Sequence, residues 1–446
     1  MTSRRGVALL VVLWIMAILT LLMYAFLAEM QVEYALAGSH GDLHKAEQLA
    51  WSAIDLACVT AANDTRRWHG PVDPWANDES RFFEIPLGDG TFTVFHPTYG
   101  DEEKVLWGLD DEASKINLNT ASVELLRRLP RMTGEIASAI VDWRDPDSTP
   151  LPAGAEDSLY QTLSPPYACK NQPFETVEEL FYVWGVTAEI LYGEDANLNG
   201  RLEPNENDGD ASWPPDNRDG KLDPGLWPLV TVVSMDKNRT LDDKARINVN
   251  LLPRYSAAQL NEAGLAQPDF QVINAYLSTR GPLPSVAHLL SHRDNRGLFT
   301  GLSLARFKLL VDKLTTVDGD TIPGLVNINT APKQALLALP GMTEEIALHI
   351  IATRTSPGHD LSTMGWLLEV MEPEALLQVA AFVTFHSYQF RIHAVGRVGT
   401  PERPGSFRRM VAVFDKLAVP RPRIVYWKDL TRLGFPYDPE EGPNPR

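Results

Sequence analysis

The chain begins with an apolar segment that is long enough to cross a membrane as a helix. Residues 7–27 contain no charged side chain. At about 1.5 Å per residue, an α-helix of this length extends roughly 32 Å, which matches the hydrocarbon core of a bilayer. Arg4 and Arg5 precede it, and basic residues beside a first span favour the cytoplasmic side. The pattern predicts one membrane-spanning helix, with the rest of the chain on the far side.

A cleaved secretory signal and a plain anchor are the general alternatives for this segment. A secretory signal has a shorter apolar region that ends in small residues at its cleavage site. Here the apolar run is long, and Glu29, Met30 and Gln31 follow it without that pattern. The sequence therefore favours an apolar segment that stays on the protein.

Beyond the membrane, the apolar positions first keep helical spacing and later alternate as they do in strands. The helical stripe consists of Ala46, Leu49, Ala50, Ala53, Ile54 and Ala57. Such spacing predicts a helix that buries one face. Leu87-Gly88-Asp89-Gly90 predicts a hairpin turn, and alternating residues around 388–394, 410–414 and 423–427 predict three C-terminal strands.

A long stretch of mostly helical pattern separates the two β regions. The predicted fold class is α+β, in which the N-terminal helix packs on a small antiparallel sheet and a large α-helical insertion interrupts that sheet. The predicted divisions are 28–110 for the helix and first strands, 111–385 for the insertion, 386–430 for the last strands, and 431–446 for a tail.

The insertion contains an internal repeat. Its openings are Ile116-Asn-Leu-Asn-Thr-Ala121, Val326-Asn-Ile-Asn-Thr-Ala331 and a reduced third copy, Ile247-Asn-Val-Asn250. The two full copies continue with a leucine pair, a Leu-Pro step and a helix that contains isoleucine. Thr120 and Thr330 stand where N-caps of the first helices are expected, and Thr133 and Thr343 can cap the second helices. The pattern predicts two helix-hairpin-helix repeats.

Such repeats can also bind DNA, so an envelope-anchored DNA-binding protein, similar to competence-type receptors, is the rival interpretation. In that motif a glycine-rich hairpin presents N–H groups to a phosphate. Here the hairpins begin at Pro130-Arg131 and Pro340-Gly341, and the basic residues near them are limited to Arg127, Arg128 and Arg131. The formal net charge of the chain is -18, which repels nucleic acid. We therefore predict a packing role and no nucleic-acid partner.

Composition and cysteine usage add little further restriction. The chain has 446 residues, of which 44% are apolar and 22% are charged, as in ordinary globular proteins. Its two cysteines, Cys58 and Cys169, are too few for a disulfide framework. In an oxidising compartment they form either one bridge or two buried thiols, and the sequence leaves both alternatives open.

The N-terminal sequence and the repeats together resemble the type II secretion system minor pseudopilin K family, also called general secretion pathway protein K. The resemblance rests on the start Arg4-Arg5-Gly6-Val7, on both INLNTA-like repeats and on the segment 111–119. It implies a leader, residues 1–6, that a prepilin peptidase removes between Gly6 and Val7. Most pseudopilins have Glu at the fifth mature position, whereas the K class lacks it, and Val11 stands there in this chain.

This resemblance implies a non-enzymatic subunit at the tip of the type II secretion pseudopilus, which starts or caps the filament for protein export across the outer membrane. The implied partners are the I- and J-class minor pseudopilins, the major pseudopilin and the prepilin peptidase. The implied location is the inner membrane, crossed once, with the C-terminal domain in the periplasm. The sequence also contains no nucleophile elbow, P-loop, His-Glu-x-x-His or dinucleotide fingerprint, so we predict that it is not an enzyme.

Residues 195–206 fit the twelve-residue calcium loop. The predicted ligands are Asp195, Asn197, Asn199, the main-chain carbonyl of Arg201, Glu203 through water, and Glu206. Gly200 falls at position six, where this loop turns sharply. Hard oxygen ligands at alternating positions converge on one point, so the pattern predicts a structural Ca²⁺.

A second, less complete loop follows within the region 195–226. Its candidate ligands are Asp216, Asn217, Asp219 and Asp223. It has Pro215 at the first position and Leu226 at the twelfth, where acids are expected. A solvated polar turn is the alternative for this segment.

Overall fold

A computed structural model describes residues 4–99, 105–290, 292–293, 299–400 and 403–437. The predicted leader 1–6 and tail 431–446 therefore lie partly outside the described residues. The described α-helices are α1 (Arg4–Ala62), α2 (Glu79–Phe82), α3 (Val123–Leu126), α4 (Gly134–Arg144), α5 (Asp157–Tyr160), α6 (Ala188–Tyr192), α7 (Ala257–Glu262), α8 (Gln267–Arg280), α9 (Leu304–Leu310), α10 (Lys333–Ala338), α11 (Glu344–Thr355) and α12 (Pro373–Val379).

The strands form one larger sheet and several two-stranded pairs. They are β1 (Ile85–Leu87), β2 (Gly90–Pro97), β3 (Val105–Leu106), β4 (Asp110–Asp111), β5 (Ile116–Asn117), β6 (Val230–Thr231), β7 (Met235–Lys237), β8 (Ile247–Asn248), β9 (His292–Arg293), β10 (Phe299–Thr300), β11 (Leu314–Thr315), β12 (Thr321–Pro323), β13 (Val326–Asn327), β14 (Val383–Thr384), β15 (Gln389–Thr400), β16 (Arg403–Asp415) and β17 (Arg423–Asp429). Within the described chain, seven strands make an antiparallel sheet of order β1-β2-β15-β16-β17, with β3 beside β2 and β4 beside β15.

This sheet is assembled from two distant stretches of chain. The insertion leaves after β4 and the chain returns at β15, which agrees with the predicted α+β class. The predicted hairpin is present, because Leu87 of β1 pairs with Gly90 of β2 across a two-residue turn. The three predicted C-terminal strands are also present as β15, β16 and β17.

The helix α1 packs on one face of the sheet through small side chains. The buried residues of the helix are Ala46, Leu49, Ala50, Ala53, Ile54, Ala57 and Ala61, which include the whole predicted stripe. They lie against apolar residues of β15 such as Phe390 and Ile392. The approach is close, because a Cβ added to Gly396 would lie 2.1 Å from the carbonyl oxygen of Ala46. Small residues on both elements therefore set the distance between helix and sheet.

The opposite face of the sheet, here termed the polar face, combines buried charged residues with apolar ones such as Val395, and the insertion covers part of it. Arg391 and His393 alternate with the core residues of β15, yet they are only 4% and 2% exposed. Arg391 Nε lies 2.6 Å from Glu112 Oε1, and Lys115 Nζ lies 3.0 Å from the same oxygen. A buried charge without a partner is strongly destabilising. These ion pairs therefore fix the insertion in one position on the sheet.

The insertion consists of three units of similar design, with shorter helices and more strand pairing than the sequence predicted. Each unit opens with a strand that pairs in parallel with a later one, namely β5 with β6, β8 with β11, and β13 with β14. Each also contains a helix pair, α3–α4, α7–α8 or α10–α11. Thr133 and Thr343 cap α4 and α11, as predicted. The reduced copy that begins at Ile247 is thus a complete unit.

The repeated asparagines have one structural task in all three units. The first asparagine of each opening accepts a hydrogen bond from the N–H two residues later. The second bonds the main chain of a segment in the middle of its own unit. These pairs are Asn119 with Phe174, Asn250 with Leu283, and Asn329 with Leu361. The Asn-x-Asn pattern is therefore explained by folding, because it closes each unit on itself.

The predicted N-caps of the first helices are wrong. Ser122 caps α3, and Pro332 occupies the N-cap position of α10. Thr120 and Thr330 lie two residues earlier, in the turn that precedes each helix. The Thr330 hydroxyl instead donates to Asp111 Oδ2 at 2.5 Å, where it joins the third unit to the sheet. The Thr330 hydroxyl, which the local sequence pattern assigned to the helix, therefore makes a tertiary hydrogen bond instead.

Candidate calcium site

The first predicted calcium loop folds around two buried carboxylates. Asp195 is 1% exposed, and its oxygens accept hydrogen bonds from the N–H groups of Asn199 and Gly200, each at 3.0 Å. Glu206, also 1% exposed, accepts from two further N–H groups of the loop, both at 3.1 Å. The chain turns at Gly200 with φ of +70°, the left-handed conformation that glycine adopts easily. The first and last acids of the loop are thus both directed inward.

The acids of this loop repel one another, and a nearby amide oxygen lacks a donor. Burial, reinforced by the charges of Asp195 and Glu203, raises the pKa of Glu206 to about 7. Asn197 Oδ1 is buried and has no hydrogen-bond partner among the described residues. Buried oxygens that repel each other or lack a donor are the ligands that a hard cation satisfies. The residues of this loop therefore fit Ca²⁺.

The Asn199 side chain braces the loop from within. Its Nδ2 donates to Glu203 Oε1 at 3.0 Å, and its Oδ1 accepts from the Arg201 N–H at 2.8 Å. Glu203, predicted to act through water, is thus tied directly to Asn199. The Arg201 side chain is half-buried, and only its carbonyl oxygen is a predicted ligand.

The loop also contacts the polar face of the sheet, through two residues that sequence reasoning missed. Arg409 of β16 is fully buried and donates to the carbonyl oxygens of Asn197 and Leu198, at 2.8 and 2.6 Å. The Tyr99 hydroxyl donates to Asp195 Oδ2 at 2.8 Å. The only sequence signal for these contacts is Arg409 itself, a cationic residue that directly precedes the predicted strand at 410–414. The loop therefore links the insertion to the sheet.

The second predicted loop is more open than the first. Asn217 and Asp219 are exposed, and each bonds the main chain two residues ahead. Asp216 accepts from two N–H groups at 2.7 Å. Asp223 Oδ2 lies 2.5 Å from Arg131 Nη2, so it already has a cationic partner. Within the described residues, neither of the two loops brings three of its acids within reach of one ion.

The two cysteines lie in different hydrophobic cores and are both free. Cys58 is on α1, beside the sheet, whereas Cys169 is buried in the core of the insertion. Burial raises the pKa of each thiol to about 12. Of the two alternatives that the sequence left open, the structure has the unpaired thiols, and the disulfide between Cys58 and Cys169 is absent.

Gly6 and Val7, the predicted processing site, lie in the first turns of α1.

The arginines of the first hairpin contact the protein itself. Arg128 donates to the carbonyl oxygen of Leu339 in the third unit, at 3.0 Å. Arg131 donates to the carbonyl oxygen of Glu189 at 3.1 Å and pairs with Asp223. Both guanidinium groups therefore join parts of the insertion.

The helix α1 contains a stretch that is long and apolar enough to cross a membrane. The candidate span begins at Leu9, and none of the residues in its most apolar window is buried within the protein. Farther along the same uninterrupted helix, the residues from Ala46 to Ala61 are buried on the sheet. One continuous helix therefore joins the apolar segment to the folded part of the chain.

Comparison with known proteins finds relatives that share the description protein K of the type II secretion system. The family model described as Type II secretion system (T2SS), protein K, matches residues 111–192. The type II secretion system protein K of Klebsiella pneumoniae is 31% identical over 212 residues, which cover 45% of this chain and 61% of that protein. The protein of the same name from Pectobacterium carotovorum subsp. carotovorum is 27% identical over 199 residues, covering 42% of this chain and 60% of the relative. The chain thus spans about three fifths of the length of these relatives.

One solved structure is also similar. A chain of the GspK-GspI-GspJ complex from the enterotoxigenic Escherichia coli type 2 secretion system aligns with a TM-score of 0.41 and 15% identity, over 90% of this chain and 98% of that one. The predicted resemblance to the K family is confirmed by the family model and the named relatives.

Proposed function

We propose that this relative of type II secretion system protein K is a minor pseudopilin at the tip of the secretion pseudopilus. The observation that carries the proposal is the single helix α1, exposed and apolar at one end and buried on an antiparallel sheet at the other. Such a helix can sit in the inner membrane and later pack beside sister helices in a filament. The subunit starts or caps this filament for protein export across the outer membrane and has no enzymatic activity.

Two features support a position at the tip. Val11 stands where other pseudopilins carry a glutamate that meets the N-terminus of the neighbouring subunit above, and a tip subunit has no such neighbour. The large insertion covers the polar face of the sheet through the contacts of Arg391 and Arg409. A subunit of this bulk would hinder further stacking above it.

The partners follow from the same proposal. The I- and J-class minor pseudopilins and the major pseudopilin pack against α1, and the prepilin peptidase cuts between Gly6 and Val7. The folded part lies in the periplasm, with a single span in the inner membrane. The helix pairs of the insertion act as helix-hairpin-helix packing modules without nucleic acid.

Calcium has a structural role in this proposal. Asp195, Asn197, Asn199, Glu206 and the Arg201 carbonyl would hold one Ca²⁺, which supplies the positive charge that the buried acids lack. The ion would stiffen a polar loop that contains few apolar residues, and through Arg409 it would stabilise the contact with the sheet. The second loop, at 216–223, is a weaker candidate because Asp223 pairs with Arg131.

Co-purification from a native secretion system tests the assembly role. The full-length chain carries a C-terminal tag and is extracted in mild detergent, and its N-terminus is determined by mass spectrometry. We expect the I- and J-class pseudopilins to co-purify and the mature chain to begin at Val7. The variant Gly6→Val should retain the leader and lose its partners, whereas the matched control Ser3→Ala should behave like the wild type.

The outcome also separates the rival function. A chain that purifies alone, or that begins elsewhere than at Val7, contradicts the pseudopilin proposal. Salt-dependent DNA binding that is lost in Arg128→Ala would favour the DNA-binding alternative instead.

A further inference from the structure

A second group of acids lies in the first unit, away from the calcium loop. Asp145, Asp147 and Glu156 each offer a carboxylate oxygen, and these three oxygens lie within 4.8 Å of one another. Two oxygens that share a Ca²⁺ at about 2.4 Å can be at most about 4.8 Å apart. The spacing therefore suits one calcium ion.

The strongest observation at this place is the isolation of Glu156. Its side chain is only 2% exposed, and neither carboxylate oxygen has a hydrogen-bond partner among the described residues. Asp145 Oδ1 is likewise buried without a partner. A buried carboxylate that accepts no hydrogen bond is rare and costly in a folded protein, and a bound cation removes that cost.

Among the residues that the structure describes, no cationic side chain forms an ion pair with these three acids. The charge of Arg144 lowers the pKa of Asp145, but the guanidinium donates its hydrogen bonds to the carbonyl oxygens of Leu118 and Ala121. The Cys169 thiol and the Asp157 N–H lie beside Glu156 and oppose the rise of its pKa, but the hydrogen bond of the thiol goes to the carbonyl oxygen of Asp142, at 3.7 Å. Burial and the mutual repulsion of the acids raise the pKa of Glu156 and of Asp145.

The surrounding chain is arranged to hold Glu156 in place. Asp142, fully buried on α4, accepts from the N–H groups of Leu151 and Ala155, the latter at 2.8 Å. The segment that leads to Glu156 is thus tied to the helix that precedes Asp145. A Cβ on Gly154 would lie 1.9 Å from Asp142 Oδ2, so this position must be glycine for the chain to approach the carboxylate.

We infer that Asp145, Asp147 and Glu156 form a binding site for a hard divalent cation, Ca²⁺ in preference to Mg²⁺, that is separate from the loop at 195–206. The ion cross-links the end of α4 to the start of α5 and leaves room for water or main-chain carbonyls as further ligands. Mg²⁺ demands near-octahedral geometry with ligands at about 2.1 Å, whereas Ca²⁺ accepts a flexible arrangement of oxygens such as three carboxylates from one loop.

Calorimetric titration of the detergent-solubilised full chain tests this site. All measurements use the Glu206→Gln background, which disables the first loop, and protein treated with EDTA and then dialysed free of it. We expect CaCl₂ to bind with one saturable event, and Glu156→Gln to weaken that binding at least tenfold. Asp147→Asn, an exposed substitution that keeps the fold, should weaken it as well. The control Glu175→Gln removes one exposed acid of the same unit and should change nothing.

Thermal unfolding gives an independent readout. In EDTA, Glu156→Gln should melt at the same temperature as its background or higher, because it removes an unpaired buried acid. With CaCl₂ the background should gain melting temperature and Glu156→Gln should not. The inference is overturned if Glu156→Gln, Asp147→Asn and Glu175→Gln bind calcium equally well. It is also overturned if the Glu206→Gln background shows no saturable binding. Stronger binding of MgCl₂ than of CaCl₂ overturns the choice of ion.

Discussion

The two faces of the seven-stranded sheet are covered in opposite ways. On one face, α1 packs through alanines and aliphatic residues such as Ile54 against apolar residues of β15. On the other, the insertion packs through buried charges, with Arg391 against Glu112 and Arg409 against loop carbonyl oxygens. Apolar packing tolerates small shifts, whereas a buried ion pair works in only one arrangement. The helix face therefore supplies stability, and the polar face sets the position of the insertion.

The largest effect should come from removing a charge on the polar face. We expect Arg391→Met to lower the free energy of unfolding by about 3 kcal/mol, since Glu112 then remains buried with Lys115 as its only cationic partner in the described part of the chain. Urea unfolding of the detergent-solubilised chain measures this, with Arg423→Met, on the exposed edge strand, as the control. A loss equal to that of the control would show that the ion pair contributes nothing.

A smaller effect is expected on the helix face. Ile54→Ala removes a fully buried side chain and should cost about 2–3 kcal/mol by loss of burial and formation of a cavity. Val59→Ala, at a position of the same helix that is 56% exposed, should change the same free energy by under about 0.5 kcal/mol. If both substitutions cost the same, the buried stripe is not the main contact with the sheet.

The smallest expected effect is a pH dependence of stability. It comes from Glu206, in the calcium loop that contacts the polar face. The pKa of Glu206 is raised to about 7, so the metal-free folded protein holds this proton more tightly than the unfolded chain does. Stability in EDTA should therefore fall as the pH rises from about 5 to 8. Glu206→Gln should reduce this fall by a few degrees of melting temperature, and CaCl₂ should reduce it in the wild type only. Identical pH profiles for wild type and Glu206→Gln in EDTA would contradict this role.

Local sequence patterns predicted the elements that depend on neighbouring residues. The stripe from Ala46 to Ala57 predicted the buried face of α1, because helical spacing alone brings those residues together. The turn at Gly88-Asp89 and the caps Thr133 and Thr343 were predicted for the same reason. The N-caps at Thr120 and Thr330 were wrong, because Ser122 lies closer to the helix and a distant acid binds the Thr330 hydroxyl.

The sequence by itself determined the apolar N-terminal segment, the α+β class, the repeated openings and a loop with the ligand spacing for calcium. Only the tertiary structure decided that the polar residues of β15 and β16 are buried, that the loop contacts Arg409, and that Glu156 meets Asp145 and Asp147. Spacing along the chain specifies which side of an element is apolar. It does not specify which distant segment covers the polar side, because that choice depends on charges and carbonyl groups that come together only when the chain is folded.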